Sequence, residues 1–258
     1  MRFTKMQASG NDFIFFGSPL QNMPPDTAFI RKLCDRHYGV GADCAVFIGR
    51  DENNDYYMRV YNPDGFEAEM CGNALLCSGV YISEHGHYNK NVFSVMTRSG
   101  VRMVAVDGKR AFAEIGSPIV VSKGEIGLGN AHYKYYEINV GNPHCVVLKS
   151  NISDEEFFEY GRTLENHPLF KNGTNVEFAD IQDGGNITIR TWERGIGETL
   201  CCVTGSCASA KAAFEEGIIR DEYTVSQPGG SVRIETKGCG SYFASGECAT
   251  VFSGNTEF

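Results

Sequence analysis

This chain of 258 residues is short of positive charge, of zinc-spaced ligands and of long apolar runs, and each shortage excludes a class of function. Lys and Arg number 23 against 32 Asp and Glu, a net charge of −9. Charge of that sign does not draw a protein to nucleic acid or to an anionic membrane. Phe13-Ile-Phe-Phe16 is far too short to span a bilayer. The opening Met1-Arg-Phe-Thr-Lys5 has no apolar leader segment behind it. The expectation is a soluble, cytoplasmic protein. Ten cysteines are present, yet none falls in a Cys-x-x-Cys pair, and the six histidines are not spaced as zinc partners. No metal site is expected. A disulfide scaffold is not expected either, because nothing marks the chain for export. The glycine-rich turn Tyr38-Gly-Val-Gly-Ala-Asp43 is followed by no Walker lysine and no dinucleotide fingerprint.

What is present is a repeat. Glu193-Arg-Gly-Ile-Gly-Glu-Thr-Leu-Cys-Cys-Val-Thr-Gly205 is echoed by Glu67-Ala-Glu-Met-Cys-Gly-Asn73, each with a glutamate four residues before a cysteine. The difference between positions 71 and 202 is 131 residues, and the same step carries Gly10-Asn11 onto Gly141-Asn142 and Arg59 onto Arg190. It also carries Tyr61 onto Trp192, Gly86 onto Gly217 and Val101-Arg102 onto Val232-Arg233. Matches in one register along most of a half-chain mark an internal duplication. Two lobes follow, residues 1–117 and 118–248, with the last strand, about 249–258, returning to the first. No low-complexity linker divides them; Gly116-Ser-Pro118 is the best boundary. Taken singly, Cys71 or Cys202 reads as a small buried hydrophobe. Their shared register reverses that. The expectation is a pseudo-two-fold molecule whose two thiols face each other across a cleft.

The coarse pattern places both cysteines just ahead of helices. Residues 1–16 read as two strands around the turn Ser9-Gly10-Asn11-Asp12. Pro24-Pro25-Asp26 leads into helical spacing through Cys34, with Asp26 or Thr27 as cap. Strands are expected at 44–48, 56–61, 93–97, 101–106 and 111–115, with a turn at Asn62-Pro-Asp-Gly65. Residues 72–86 form a helix apolar nearly all round, hence buried in its lobe. The second half repeats the plan with strand-forming stretches over 135–148, near 176 and over 187–192, 223–226 and 232–236. Its helices are expected at 154–165 and, buried, at 206–216. Residues 248–252 close the chain as a strand.

Two thiols of this kind fit proton transfer at a stereocentre, which needs a base on one face of a carbon and an acid on the other. Racemases that use pyridoxal phosphate delocalise the resulting carbanion into the cofactor. No lysine and phosphate-cup constellation is evident here, so a cofactor-free route is expected. Such a route requires fixed donors on the substrate carboxylate and a site closed to water. Helix N-termini behind the cysteines would hold that carboxylate and lower the thiol pKa.

Met70-Cys-Gly-Asn73, Gly141-Asn-Pro-His144, Gly173-Thr-Asn-Val-Glu-Phe178, Glu193-Arg-Gly195 and Gly197-Glu-Thr-Leu200 resemble signature segments of the diaminopimelate epimerase family. So do Gly39-Val-Gly-Ala-Asp43 and Gln227-Pro-Gly-Gly230. The resemblance runs from end to end. It implies an α/β fold of two pseudosymmetric lobes, each a mixed or antiparallel sheet around a buried helix. It also implies cofactor-independent interconversion of LL- and meso-diaminopimelate, for lysine and peptidoglycan precursors. By position, Cys71 and Cys202 resemble the catalytic pair, and His144 and Glu193 the residues that orient or deprotonate a thiol. Asn62, Asn142, Asn175 and Arg194 resemble the site for the substrate's non-reacting end. An arginine fork suits a carboxylate there, and asparagines both donate and accept. Asn11, Gly72 and Asn73 resemble contacts near the reacting centre, where Val203 and Thr204 offer backbone N–H groups. Glu193 belongs to the substrate set as well.

Three departures from the family pattern stand out: Ala74-Leu75-Leu76 for the usual Gly-Ala-Arg, Cys44 for a glutamine among the substrate contacts, and Val203 for a glycine. They leave proton transfer untouched and bear on substrate choice. The alternatives are a related racemase for histidine, lysine or glutamate, and, from another class, a binding protein or thiol redox sensor. A redox sensor has no need of Arg194 and its asparagines, and a binder has no need of both cysteines. The expected partner is a small amino acid; a homodimer is the commonest assembly among soluble oligomers.

Overall fold

A computed structural model describes residues 1–17, 25–50, 52–86, 91–237 and 240–257. Pro24, Cys239 and Phe258 from the readings above lie outside the described residues. The elements of the first half are β1 (Arg2–Ala8), β2 (Asn11–Gly17), α1 (Thr27–Cys34), β3 (Cys44–Gly49), β4 (Tyr56–Tyr61), α2 (Gly72–His85), β5 (Val92–Thr97), β6 (Gly100–Asp107) and β7 (Arg110–Gly116). The second half has β8 (Ile119–Leu128), β9 (Ala131–Asn139), β10 (Pro143–Leu148), α3 (Asp154–Glu165), β11 (Asn175–Ile181), β12 (Asn186–Glu193), β13 (Gly197–Thr199), α4 (Val203–Glu215), β14 (Glu222–Gln227), β15 (Gly230–Lys237) and β16 (Ser241–Asn255). The chain forms two compact units: Met1–Glu114 with Ser245–Phe258, and Ile115–Ala244.

In the first unit the strands run β1 to β7 in order, and the C-terminal part of β16 pairs with β1. Cys248 N donates to Lys109 O at 2.8 Å beside β7, so the strands form a closed ring. Period-two alternation sorts the side chains. Ile14, Phe16 and Phe47 point outward into a cluster with Ile30 and Leu33 of α1. Phe15 points inward, its ring 5.2 Å from that of Tyr81 on α2. Residues Gly72 to Ile82 of α2 are all buried, as an all-round apolar helix requires. At Gly79 a Cβ would sit 2.6 Å from Val104 Cγ1, so glycine is what lets the helix approach β6. Ala74, Leu75 and Leu76 are core residues with at most 1% exposure.

The second unit repeats this construction through β8-β9-β10-β11-β12-β14-β15, with β13 on β12. Cys145, Val147, Val176 and Phe178 point outward under Phe157 and Leu164 of α3. The buried helix α4 packs within the sheet against β9, β10, β11, β12, β14 and β15. Helix α3 starts on a capping box, Ser153 and Glu156 exchanging backbone bonds.

Pairing reproduces the duplication. Phe13 faces Cys44 in parallel strands β2 and β3, and His144 faces Asn175 in β10 and β11, each 131 positions on by number. Beyond the buried helices the register changes. Helix α2 has 14 residues and α4 has 13. Thr97 pairs with Gly100, and Gln227 with Gly230, and both pairs of equivalent positions differ by 130. The sequence match of Val101-Arg102 with Val232-Arg233 is therefore one residue out; Ser231-Val232 are the equivalents. Helix α4 also begins at Val203, three positions before the expected Ser206. Strand β8 carried no readable signal because only Ile126 and Leu128 in it are buried.

Candidate active site

Each cysteine ends an extended segment and caps the helix that follows. Cys71 has φ −138° and ψ 106°, and Cys202 has φ −128° and ψ 110°. Their Sγ atoms accept the N–H of Ala74 at 3.5 Å and of Gly205 at 3.4 Å. A serine or aspartate at this position would make the same contact to the third helical residue. Neither first turn contains an acidic side chain, so the positive helix end is offered to the sulfur and to whatever lies beside it.

The glutamates four residues before each cysteine fasten these segments and do not face the thiols. Glu67 takes a two-pronged pair from Arg59 at 3.0 and 2.9 Å, and Glu198 pairs with Arg190 at 2.7 Å. Both arginines were already matched by the repeat, which explains why arginine and glutamate recur together. The neighbouring hairpin adds a second fastening. In the first unit Arg98 Nη1 donates to Glu67 O at 3.1 Å and Ser99 Oγ to Glu69 O at 2.9 Å. In the second, Gly229 N donates to Leu200 O at 2.8 Å. Gln227 goes further: its Oε1 accepts Cys202 N at 2.8 Å while its Nε2 donates to Ser206 Oγ at 2.9 Å.

Around Cys71, Asn73 is buried and donates to Ala8 O at 3.3 Å. Asn11 is buried with its Oδ1 unpartnered among the described residues. Cys44 donates its thiol to Asn62 Oδ1 at 3.6 Å, and Gly72 is buried. Beside Asn11 and Cys44, an ion network locks the backbone. Asp12 pairs with Lys5 at 2.7 Å and Arg36 at 2.8 Å, and Arg36 also reaches Asp43 at 2.8 Å. Lys5 Nζ also donates to Gly41 O.

Around Cys202 the same inner positions carry polar groups. Strand alternation and register put His144, Asn175 and Glu177 on the face toward α4, where the first unit has Phe13, Cys44 and Val46. His144 and Glu177 have no exposed side-chain surface, and Nδ1 lies 2.8 Å from Glu177 Oε1. His144 Nε2 lies 3.0 Å from Asn142 Oδ1, and Asn142 Nδ2 donates to Thr204 Oγ1 at 3.4 Å. Thr204 Oγ1 is 3.4 Å from Cys202 Sγ. His144 thus reaches the thiol through two intervening side chains. Glu193 accepts from Thr199 Oγ1 at 2.7 Å. Asn175 holds Pro143 O at 2.8 Å and accepts Arg194 N at 2.9 Å; Arg194 Nη1 donates to Asn172 O at 3.2 Å. Val203 is buried.

The net shift of the Cys202 thiol is upward, against the expectation that the helix end lowers it. Burial is the largest cause, followed by the Glu193 and Glu177 carboxylates; the bonds from Thr204 and Gly205 pull the other way and lose. At neutral pH this sulfur holds its proton. Three contributors carried no assigned role in the sequence: Glu177, Gln227 and the Thr204 side chain. Glu177 gave no separate signal, since β11 holds a second carboxylate, Asp180, and an asparagine, Asn175, as well. It has no echo in the first half, so the repeat did not flag it.

The diaminopimelate epimerase family model matches residues 3–122 and 136–251. The chain belongs to the diaminopimelate epimerase family. Diaminopimelate epimerase from Desulforudis audaxviator is 37% identical over 273 residues, covering 98% of this chain and 98% of that protein. The one from Desulfovibrio desulfuricans is 35% identical over 279 residues, covering 98% and 97%. Among solved structures, a hydroxyproline epimerase from Agrobacterium vitis with bound trans-4-hydroxy-L-proline superposes with a TM-score of 0.78 at 14% identity, over 98% of this chain and 91% of that one. A predicted epimerase from Pseudomonas aeruginosa gives 0.76 at 15% identity, over 100% and 99%. These distant likenesses show the fold: a mixed α/β sheet barrel with few helices. Like the rest of the diaminopimelate epimerase family, this chain is an isomerase of the epimerase and racemase kind. Among the described residues no helix is long and apolar enough to cross a membrane, and no acid, His and Cys group is placed to hold a metal ion.

Proposed function

We propose that this enzyme interconverts LL- and meso-2,6-diaminopimelate by moving one α-proton between two cysteines, in the route to lysine and peptidoglycan precursors. One observation carries the reading: in a duplicated chain, both cysteines are helix N-caps at equivalent positions, each sulfur under a backbone N–H. In one direction the Cys71 thiolate removes the Cα proton and becomes a thiol. The electron pair passes into the substrate carboxylate. Cys202, which burial keeps protonated, then gives its proton to the opposite face and becomes the thiolate. Exchange with water resets the pair. Asn11, Gly72, Asn73, Val203 and Thr204 are assigned to the reacting end, where helix N–H groups meet developing carboxylate charge. Asn62, Asn142, Asn175 and Arg194 are assigned to the far amino-acid end, Cys44 and Glu193 to the substrate contacts, and His144 and Glu193 to orienting a thiol. No cofactor is required. We assign the enzyme to the cytoplasm as a homodimer.

A second reading rests on Cys44 and Val203. A thiol on Asn62 and a buried valine behind Cys202 narrow the polar site, which favours a single-centre amino acid such as histidine, lysine or glutamate. The test separates the two. Reduced enzyme is given LL-diaminopimelate or each single-centre amino acid, and the stereoisomers are resolved by chiral chromatography. Formation of the meso isomer, reduced at least about a thousandfold in both Cys71→Ser and Cys202→Ser, supports the first reading. Racemisation of a single-centre amino acid alone replaces it with the second.

A further inference from the structure

From this geometry we infer that Glu177 is a positioning residue that sets the direction of a hydrogen-bond chain ending on the Cys202 sulfur. The inference rests on the two-cysteine reading above and adds a residue to it. Glu177 is wholly buried on β11, its Oε1 2.8 Å from His144 Nδ1. Its carboxylate also lies against the first turn of α4, because a Cβ on Gly205 would come within 2.4 Å of Oε1. The chain then runs from His144 Nε2 to Asn142 Oδ1 at 3.0 Å, from Asn142 Nδ2 to Thr204 Oγ1 at 3.4 Å, and from Thr204 Oγ1 to Cys202 Sγ at 3.4 Å.

With the Asn142 amide oxygen toward His144, the proposed chain takes one polarity. A carboxylate only accepts, so His144 donates through Nδ1. Nε2 faces the Asn142 amide oxygen, and in the proposed chain it donates to it as well. The Asn142 oxygen is then an acceptor, and its amide N–H donates to Thr204. Thr204 accepts there, and in the proposed chain its hydroxyl proton lies on the Cys202 sulfur, 3.4 Å away. The thiol's own proton is left free for a substrate, and the thiolate, once formed, already has a donor. Two charged groups bear on this sulfur, Glu177 from β11 and Glu193 from the end of β12, and His144 from β10 faces Glu177. Gln227 on β14 is neutral, and the first turn of α4 has no acidic side chain.

In Glu177→Gln the neutral amide does not hold a second proton on His144. Nε2 becomes an acceptor, the Asn142 amide turns over, and its oxygen takes the Thr204 hydroxyl. The sulfur loses its donor, and the thiol proton is tied to Thr204 Oγ1. The two possible roles of Glu177 therefore predict opposite signs. Loss of a nearby negative charge alone would make the thiolate easier to form. Reversal of the chain makes it harder.

The test alkylates Cys202 with iodoacetamide in a Cys71→Ala background across pH, read site by site by mass spectrometry. Glu177→Gln is expected to slow alkylation at pH 8 about tenfold and to move the pH profile upward, the size of one charge-assisted hydrogen bond. Thr204→Val removes the last donor directly and is expected to give the same loss; the double variant should add nothing further. Nitrogen-15 shifts of His144 should show two protonated ring nitrogens in the parent and one in Glu177→Gln. Faster alkylation in Glu177→Gln, additive effects in the double variant, or a singly protonated His144 in the parent would each overturn the inference. Alkylation needs no substrate, so it stands apart from the choice of amino acid. Turnover of a single-centre amino acid with alkylation slowed as expected would overturn the diaminopimelate reading while supporting this one.

Discussion

At Cys202 a helix end and a buried site pull on one proton in opposite directions. Burial wins, with Glu193 and Glu177 adding to it. The alkylation rate of Cys202 should therefore be low at pH 7 and still be climbing at pH 9, where an ordinary exposed thiol is already mostly ionised. A plateau below pH 8, measured by site-resolved labelling, would contradict this. The glutamates of the repeated motif belong to a different class. Each is tied to an arginine at a partly exposed site, so Glu67→Gln and Glu198→Gln should each cost about 1 kcal/mol or less. Both should keep kcat within about threefold. A loss like that of the cysteine variants would mean that these carboxylates act on the thiols after all. The cysteines were legible from their register alone. Glu177 was not, because the first half has Val46 in its place, and a buried charge is explained only by the partner a strand register brings to it.

At the scale of single elements, α4 depends on the groups at its first turn. A methyl at Gly205 would collide with the Glu177 carboxylate, which is wholly buried and held by His144. Gly205→Ala should cost about 2 kcal/mol, and a fall in Tm together with a loss of activity would bear this out. An unchanged Tm would show that Glu177 is free to move. In the first unit, the link between β1, β2 and the approach to β3 is ionic. Burial by itself would raise the Asp12 carboxyl, but hydrogen bonds from Arg36 and Lys5 and the Lys5 charge outweigh it and hold it well below the usual carboxylate range. The folded value lies below the unfolded one, so this stabilisation is complete above about pH 4 and is lost as pH falls further. Asp12→Asn should cost about 3 kcal/mol at pH 7, leaving Lys5 short of its partner. The variant should also show a flatter fall of the urea midpoint between pH 4 and pH 2. Equal slopes for variant and parent would rule out Asp12 as the acid-sensitive group. Elements of clear pattern were readable in the chain: α2 as a long apolar stretch, β3 as a short unbroken apolar run and α3 by its helical spacing. Strand β8 was not, since one buried pair near its end gives no alternation to read.

Over the whole molecule, the duplication preserves the frame and breaks the chemistry. Strand pairings, buried helices, cysteine caps and arginine–glutamate ties recur, while the polar chain on the inner face occurs in one unit and aromatic and aliphatic side chains fill the other. Substitution of His144 should accordingly change labelling of Cys202 and leave that of Cys71 within about twofold. The constant offset made the frame legible. Its drop by one residue beyond the buried helices did not show in the sequence, because Val101-Arg102 and Val232-Arg233 matched by chance across a shortened helix. The central claim is that two different thiols handle the proton, and a single turnover in D₂O tests it most directly. Starting from LL-diaminopimelate, the first meso product should carry deuterium at its inverted carbon while recovered LL substrate carries none. Meso product that keeps the substrate's own proton would mean one base acting on both faces, and would contradict the account.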